Sequence, residues 1–168
     1  MALFSFRRVD IHPLGVSMAG VKLGEHLLQI GIHDAALAGH LAAKTGLSGT
    51  AAHMVSNDSE AVQVQRGAKK AGVLVEVSVG ELARLPFDDG SFDLVVIHSA
   101  SGQLASATRD NRVAVLRDAW RVLRPGGRLL AIEAGTPTGL RAMLRSAPGA
   151  QAAYDAAGGT QGAVPGAG

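Results

Sequence analysis

Short apolar runs alternate with longer amphipathic stretches through the centre of this chain. Runs of five to seven residues, apolar and rich in aliphatic side chains, indicate buried strands. Because they are apolar almost throughout, they are typical of parallel strands covered on both faces. The predicted strands are residues 26–30, 50–55, 73–77, 92–98 and 128–133.

The stretches between these runs predict helices. Asp34 is a suitable cap for the first, which Gly46 ends. Asn57, with Glu60 three residues later, has the form of a capping box, and Gly72 follows the last helical residue. The predicted helices are a stretch from Asp34 to Gly46, residues 61–71 and 109–123, a short helix at 140–144, and a helix or loop cover within residues 1–24.

Strand and helix thus alternate along the chain, with a turn-rich connection at residues 86–91. This order predicts an α/β fold in which right-handed crossovers build a mostly parallel sheet between two helical layers. We expect one domain over residues 1–145. Residues 146–168, rich in Gly and Ala, are expected to form a flexible tail.

Composition narrows the functional classes. No long apolar run or export signal is recognised, so we expect a soluble, cytoplasmic protein without membrane contact. The absence of cysteine excludes disulfides and thiolate metal sites. His33 and His40 are seven positions apart on one predicted helix, too far to share an ion, and no metal site is predicted.

A net charge of +2 gives little support for nucleic-acid binding. The densest basic segment lies between Arg109 and Arg128, around the predicted helix at residues 109–123. On that helix, apolar residues recur at near-helical spacing, which indicates a core face opposite a solvated arginine face. The predicted core positions are Val113, Leu116, Trp120 and Leu123.

Two sequence blocks carry a family resemblance. LPFDDGSFDLVVIHSA at residues 85–100 and DAWRVLRPGGRLLAIEAG at 118–135 resemble the second half of class I S-adenosyl-L-methionine (SAM)-dependent methyltransferases of the type 11 group. The resemblance covers about residues 20–135 and implies a three-layer αβα Rossmann-like methyltransferase fold with SAM as cofactor. It also implies a small-molecule methyl acceptor.

Relatives continue with a hairpin of sixth and seventh strands, which the residues after Gly135 do not encode. The fifth strand would then be a sheet edge, and exposed edges are paired or covered. We therefore expect a homodimer or protein partner along this edge, or a cover formed by residues 137–146.

The family's first strand ends in a turn of the form (Val/Leu)-Asp-x-Gly-x-Gly-x-Gly, which brings backbone close to the methionine part of SAM. The corresponding residues here are LQIGIHDA at 28–35. Gly31 is retained, Gln29 replaces the acid and His33 replaces the second glycine. Asp34 adds a carboxylate near the place of the cofactor's own carboxylate. Gln29, Gly31 and His33 are the cofactor positions that the resemblance implies here.

Further cofactor positions follow the other strands. An acid after the second strand holds the ribose in the family, which implies Ser56 and Asp58, although Asp58 also suits a helix start. GELARLPF at residues 80–87 resembles the segment whose acid faces the adenine amino group, which implies Glu81 and Leu82. As an alternative, Glu81 is a surface acid at a strand end. His98 ends the fourth strand, where ligands bind in open α/β sheets.

Two functions remain open at this point. The first is a SAM-dependent methyltransferase with an unidentified acceptor and no assigned catalytic residue. The second is a non-catalytic methyltransferase-like domain that has lost SAM binding and acts as an interaction or scaffold subunit. A nucleic-acid-binding module is a distant third.

Overall fold

The computed structural model describes residues 12–99 and 102–132. Within them, five parallel strands form one sheet in the order β3-β2-β1-β4-β5. The expected parallel α/β architecture is confirmed. The strands are β1 (His26–Ile30), β2 (Thr50–Val55), β3 (Glu76–Val79), β4 (Phe92–His98) and β5 (Leu123–Ile132).

Helices cover both faces of the sheet. On one face, Leu28, Ile30 and Val95 pack with the apolar side of the last helix. On the other, Leu27, Leu94 and Val96 pack against the first two helices. The alternation of strand side chains between two cores gives the three-layer arrangement. The helices are α1 (His12–Ala19), α2 (Ala35–Lys44), α3 (Asp58–Ala71), α4 (Gly102–Ser106) and α5 (Arg109–Val122).

Helices α2 and α3 are packed with their backbones in close contact. A Cβ on Gly67 of α3 would lie 1.9 Å from the carbonyl oxygen of Ala35, the first residue of α2. One on Gly39 of α2 would lie 2.5 Å from the carbonyl oxygen of Gly67. The missing side chains therefore allow α2 and α3 to approach closely, which fixes the position of α2 where it leaves β1.

Several sequence predictions need correction, among them the start of the fifth strand, which lies at Leu123 rather than at residue 128. The third strand begins at Glu76 rather than at residue 73, because the amide of Val73 is bonded to the carbonyl of Ala68 in the C-terminal cap of α3. No helix separates β3 from β4, so the expected alternation is interrupted by turns. The short α4 was missed.

The arginines of this segment are exposed or half-buried, as predicted for a solvated face, but three of them also form ion pairs. Arg121 bonds Asp118 and Asp89, Arg124 pairs with Asp93, and Arg128 pairs with Glu25. The core face of α5 is also displaced from the prediction. Its buried residues are Val115, Leu116, Ala119 and Val122.

Several expectations fall outside the described residues. They are the helix at 140–144, the cover at 137–146, the tail at 146–168 and Glu133 as the end of the fifth strand. Among residues 12–99 and 102–132, no helix has the length and apolar character needed to cross a membrane.

Candidate cofactor site

The turn after β1 requires glycine at Gly31. Its φ of +71° is one that residues with a side chain rarely adopt. A Cβ there would also lie 3.0 Å from the carbonyl oxygen of His98 and 3.1 Å from Cδ1 of Leu104. The peptide is held from β2, because the amide of Gly31 donates to the carbonyl of Met54 over 2.8 Å. The backbone of Gly31 is therefore buried in close contact with β4 and with Leu104.

Three polar side chains lie in the core below this turn. Gln29, His53 and His98 come from β1, β2 and β4, and each is completely buried. Nε2 of His98 donates to Oε1 of Gln29 over 2.9 Å, and Nε2 of Gln29 donates to the carbonyl of Ala38 over 2.9 Å. The rings of His53 and His98 are stacked with centroids 5.9 Å apart.

Both histidines are neutral at physiological pH. Burial lowers the pKa of His53 to about 4. Burial, together with the neighbouring His53, lowers the pKa of His98 to about 3. Their Nδ1 atoms are buried without a hydrogen-bond partner in the described part of the chain, which agrees with uncharged rings protonated at Nε2.

Of the implied turn residues, only His33 exposes its side chain. Asp34, whose carboxylate was expected near that of the cofactor, is the N-cap of α2. Its Oδ1 accepts from the amides of Ala36 and Leu37 over 2.8 and 3.1 Å. The carboxylate therefore satisfies the first donors of this helix.

The loop after β2 is organised by Glu60, which the sequence analysis treated only as part of a capping box. Its Oε2 accepts from the amide of Ser56 over 2.9 Å and from the Ser56 hydroxyl over 2.6 Å. Asn57 caps α3 by accepting from the amide of Glu60, and Asp58 is the exposed first helical residue. The capping interpretation of Asn57 is confirmed. The carboxylate bonded to Ser56 is that of Glu60.

A cavity of about 230 Å³ lies between the loop after β3 and the segment that follows β4. Glu81 is exposed at its rim, whereas Leu82 and Leu104 are buried walls. Leu104 also lies against Gly31, so the cavity and the glycine turn are adjacent. The complete lining is Glu81, Leu82, Ala83, Gln103, Leu104, Ser106, Ala107, Asn111 and Val115.

A larger cavity of about 550 Å³ lies between α1 and α2 and is lined by Ser17, His40 and Lys44, among others. Lys44 is the last residue of α2, so this cavity faces the amino ends of the strands. Ligands of open parallel sheets bind at the carboxyl ends. We therefore place the candidate site at the smaller cavity.

The residues present fit the adenosine part of SAM better than its methionine part. A flat ring suits the apolar walls beside Glu81, and Ser56 and Asp58 offer polar atoms after β2. Gln29 and His98 occupy the strand ends that the resemblance implies, but their side chains lie in the core, where they bond each other. Neither residue is exposed to the cleft, since both are completely buried.

Comparison with known proteins agrees with this geometry. The model of the family described as "Methyltransferase domain" matches residues 28–131, and the chain belongs to this family. The cofactor that membership implies is SAM. The Rossmann-like expectation is confirmed by a SAM-dependent methyltransferase structure from Aquifex aeolicus. Its TM-score is 0.65 at 18% identity, over 81% of this chain and 78% of that one.

The curated relatives carry a more specific name. A demethylmenaquinone methyltransferase from Beutenbergia cavernae is 35% identical over 132 residues, which are 79% of this chain and 48% of that protein. One from Mycolicibacterium gilvum is 36% identical over 101 residues, covering 60% of this chain and 41% of that protein. The chain therefore spans about half the length of the curated relatives it matches.

Proposed function

We propose that this chain is the cofactor-binding part of a SAM-dependent methyltransferase. The observation that carries the proposal is the cavity beside Glu81, which adjoins the Gly31 turn at the carboxyl ends of the strands. Family membership supports the same location. SAM would extend from the cavity, which takes the adenine, across β2 toward the turn after β1.

The residues that follow β1, β2 and β3 each contact a different part of SAM in this arrangement. The Glu81 carboxylate accepts a hydrogen bond from the adenine amino group, and Leu82 and Leu104 contact the ring faces. Ser56 and Asp58 face the ribose, and the backbone at Gly31 and His33 borders the methionine part. When bound, SAM supplies a methyl group to a nucleophilic acceptor atom; the C–S electron pair stays on sulfur, and the acceptor releases a proton.

We further propose that the acceptor is a small aromatic molecule, and demethylmenaquinone is the first to test. The support is the activity after which the curated relatives are named. The test is transfer of a labelled methyl group from SAM to demethylmenaquinone in detergent micelles, with added dithionite to keep the quinone reduced to the quinol, whose ring carbon is nucleophilic. Loss of transfer on mutation of Glu81, with SAM binding reduced in parallel, would connect that activity to this cavity.

Titration calorimetry with S-adenosylhomocysteine tests the cofactor site directly. We expect Glu81→Gln to weaken binding about tenfold, because the charged acceptor of the adenine amino group is replaced by a neutral amide oxygen, which accepts a weaker hydrogen bond. The matched control is Glu76→Gln, an exposed acid at the first residue of β3, which should leave affinity unchanged. Absence of binding to the unmodified chain at millimolar ligand would overturn the proposal in favour of a non-catalytic domain.

The proposal extends to location and assembly. We place the domain in the cytoplasm, where a soluble enzyme of this family would meet SAM. Within residues 12–99 and 102–132, β5 pairs only with β4, which supports a homodimer or partner along its outer edge. Sedimentation equilibrium checks this, since a strict monomer at high concentration would argue against self-association.

A further inference from the structure

Gly31 is held by β2 at both of its polar groups. Its amide donates to the carbonyl of Met54 over 2.8 Å, and its carbonyl accepts from Nε2 of His53 over 2.6 Å. The first bond joins two backbones and any residue at position 54 would make it. The second depends on the side chain of His53, which lies in an otherwise apolar part of β2.

His53 has the properties of a fixed donor. The side chain is completely buried, and burial lowers its pKa to about 4, so the ring carries a single proton at neutral pH. A carbonyl oxygen only accepts, so that proton is on Nε2 and Nδ1 is bare. The stacked ring of His98 on one side restricts rotation of the imidazole.

The orientation of the Gly31 carbonyl determines the path of the residues that follow. The peptide is planar, so fixing its carbonyl also fixes the direction in which Ile32 and His33 leave the turn. Gly31 is the only glycine of LQIGIHDA, so the unusual backbone angle of this turn is concentrated at one residue. A side chain that holds this peptide therefore controls the whole turn.

We propose that His53 is a positioning residue for the cofactor turn, acting through its hydrogen bond to the Gly31 carbonyl. This role rests on the proposed SAM binding, because the turn borders the methionine part of that ligand. His53 contacts no ligand itself. Its position in the middle of a buried strand explains why the motifs of the sequence did not identify it.

Two substitutions separate positioning from packing. His53→Met keeps much of the volume and removes the donor, whereas His53→Gln places an amide N–H near the position of Nε2. We expect S-adenosylhomocysteine affinity to fall about tenfold in the first and to return to within about threefold of the original in the second. His26→Met, at the exposed amino end of β1, is the matched control and should bind normally.

Hydrogen exchange supplies a readout that needs no cofactor. Amides of residues 31–34 should exchange faster in His53→Met than in the unmodified protein or His53→Gln, with β4 equally protected in all three. Failure of the unmodified protein to bind refutes the proposed function, while exchange still tests the positioning role. Equal protection of residues 31–34 in His53→Met refutes positioning. If the Met variant does not fold, tenfold weaker binding by folded His53→Gln refutes it instead.

Discussion

The side chains of Gln29 and His98 form a buried hydrogen bond of 2.9 Å between β1 and β4. Gln29 stands where the family has an acid, and His98 ends the strand that faces the cleft. Because His98 is uncharged, a neutral amide at position 29 is the matched partner, and a carboxylate would be buried against an uncharged ring. The replacement of the acid is thus accompanied by a local polar core.

Gln29→Met should destabilise the fold by about 2 kcal/mol, because Nε2–H of His98 would lose its acceptor in the core. Urea denaturation measures the change. Gln65→Met, on the exposed face of α3, is the matched control and should change stability by less than about 0.5 kcal/mol. Equal effects of the two substitutions would contradict the importance of the buried bond.

The strands were predictable because their apolar runs are bounded by local stop signals. The residues of β1, β2 and β4 match the predicted ranges, and Asp34 and Asn57 cap the helices as expected. The start of β3 was not predictable from β-branched residues alone, since the C-terminal cap of α3 requires Val73. A local pattern cannot reveal this competition between two elements.

The candidate site was predictable only where local motifs carry it. Glu81 and Gly31 lie at the cavity and the turn as the resemblance implies. His53 and Leu104 were missed because their importance comes from contacts across strands, 22 residues apart for the bond from His53 to Gly31. Nor does charge spacing reveal that Arg121 is bonded to the carbonyls of Leu85 and Phe87.

Gly67→Ala should separate α2 from α3. The new Cβ would lie 1.9 Å from the carbonyl oxygen of Ala35, and backbone on both sides leaves no flexible atom to yield. We expect a loss of about 3 kcal/mol in the free energy of unfolding. Gln65→Ala on the same helix controls for helix propensity. If the two variants unfold at the same midpoint temperature in a thermal melt, the close packing of α2 against α3 is disproved.

Arg121 joins α5 to residues 85–89 of the connection between β3 and β4. Its guanidinium donates to the carbonyls of Leu85 and Phe87 over 3.0 and 2.8 Å, and it pairs with Asp118 at 2.6 Å. Lysine cannot reproduce this fork, so Arg121→Lys should cost about 2 kcal/mol in urea denaturation. Arg117→Lys, exposed on the same helix, should cost almost nothing. A similar loss in both would contradict the specific role.

As pH falls, the free energy of unfolding should decrease before the carboxylates become protonated. The pKa values of His53 and His98 are depressed in the folded state, to about 4 and about 3, from 6.5. The unfolded chain therefore binds more protons below pH 6.5, and the stability present above that pH is lost as pH falls toward 4 and 3. Each histidine contributes up to about 1.4 kcal/mol per pH unit.

Denaturation between pH 6.5 and 5 measures this effect. Burial raises the pKa values of Glu25 and Asp118, but hydrogen bonds that include those from Arg128 and Arg121 outweigh it and hold these pKa values below the usual 4.5 and 3.8. These acids therefore become protonated at lower pH than the histidines of the unfolded chain. His53→Gln removes one titrating group and should give a shallower slope. An unchanged slope in that variant would show that His53 is not neutral in the folded protein.

Asp34 tests how the altered turn accommodates the methionine part of SAM. Its carboxylate caps α2 through two amides, and asparagine can accept both bonds without the negative charge. Asp34→Asn should therefore keep the stability of the fold, whereas Asp34→Ala should lose about 1 kcal/mol. If the cofactor's carboxylate lies near this helix end, removing the like charge should raise SAM affinity about fivefold in Asp34→Asn.

Methylthioadenosine provides the matched ligand, because it keeps the adenosine and lacks the amino-acid carboxylate. Its affinity should be the same in Asp34→Asn and the unmodified protein, so that only SAM and S-adenosylhomocysteine respond to the charge. A fall in SAM affinity with methylthioadenosine unchanged would reverse the assignment, since Asp34 would then attract the ammonium group of the cofactor. Titration of both ligands against both proteins thus determines which end of the amino acid faces α2.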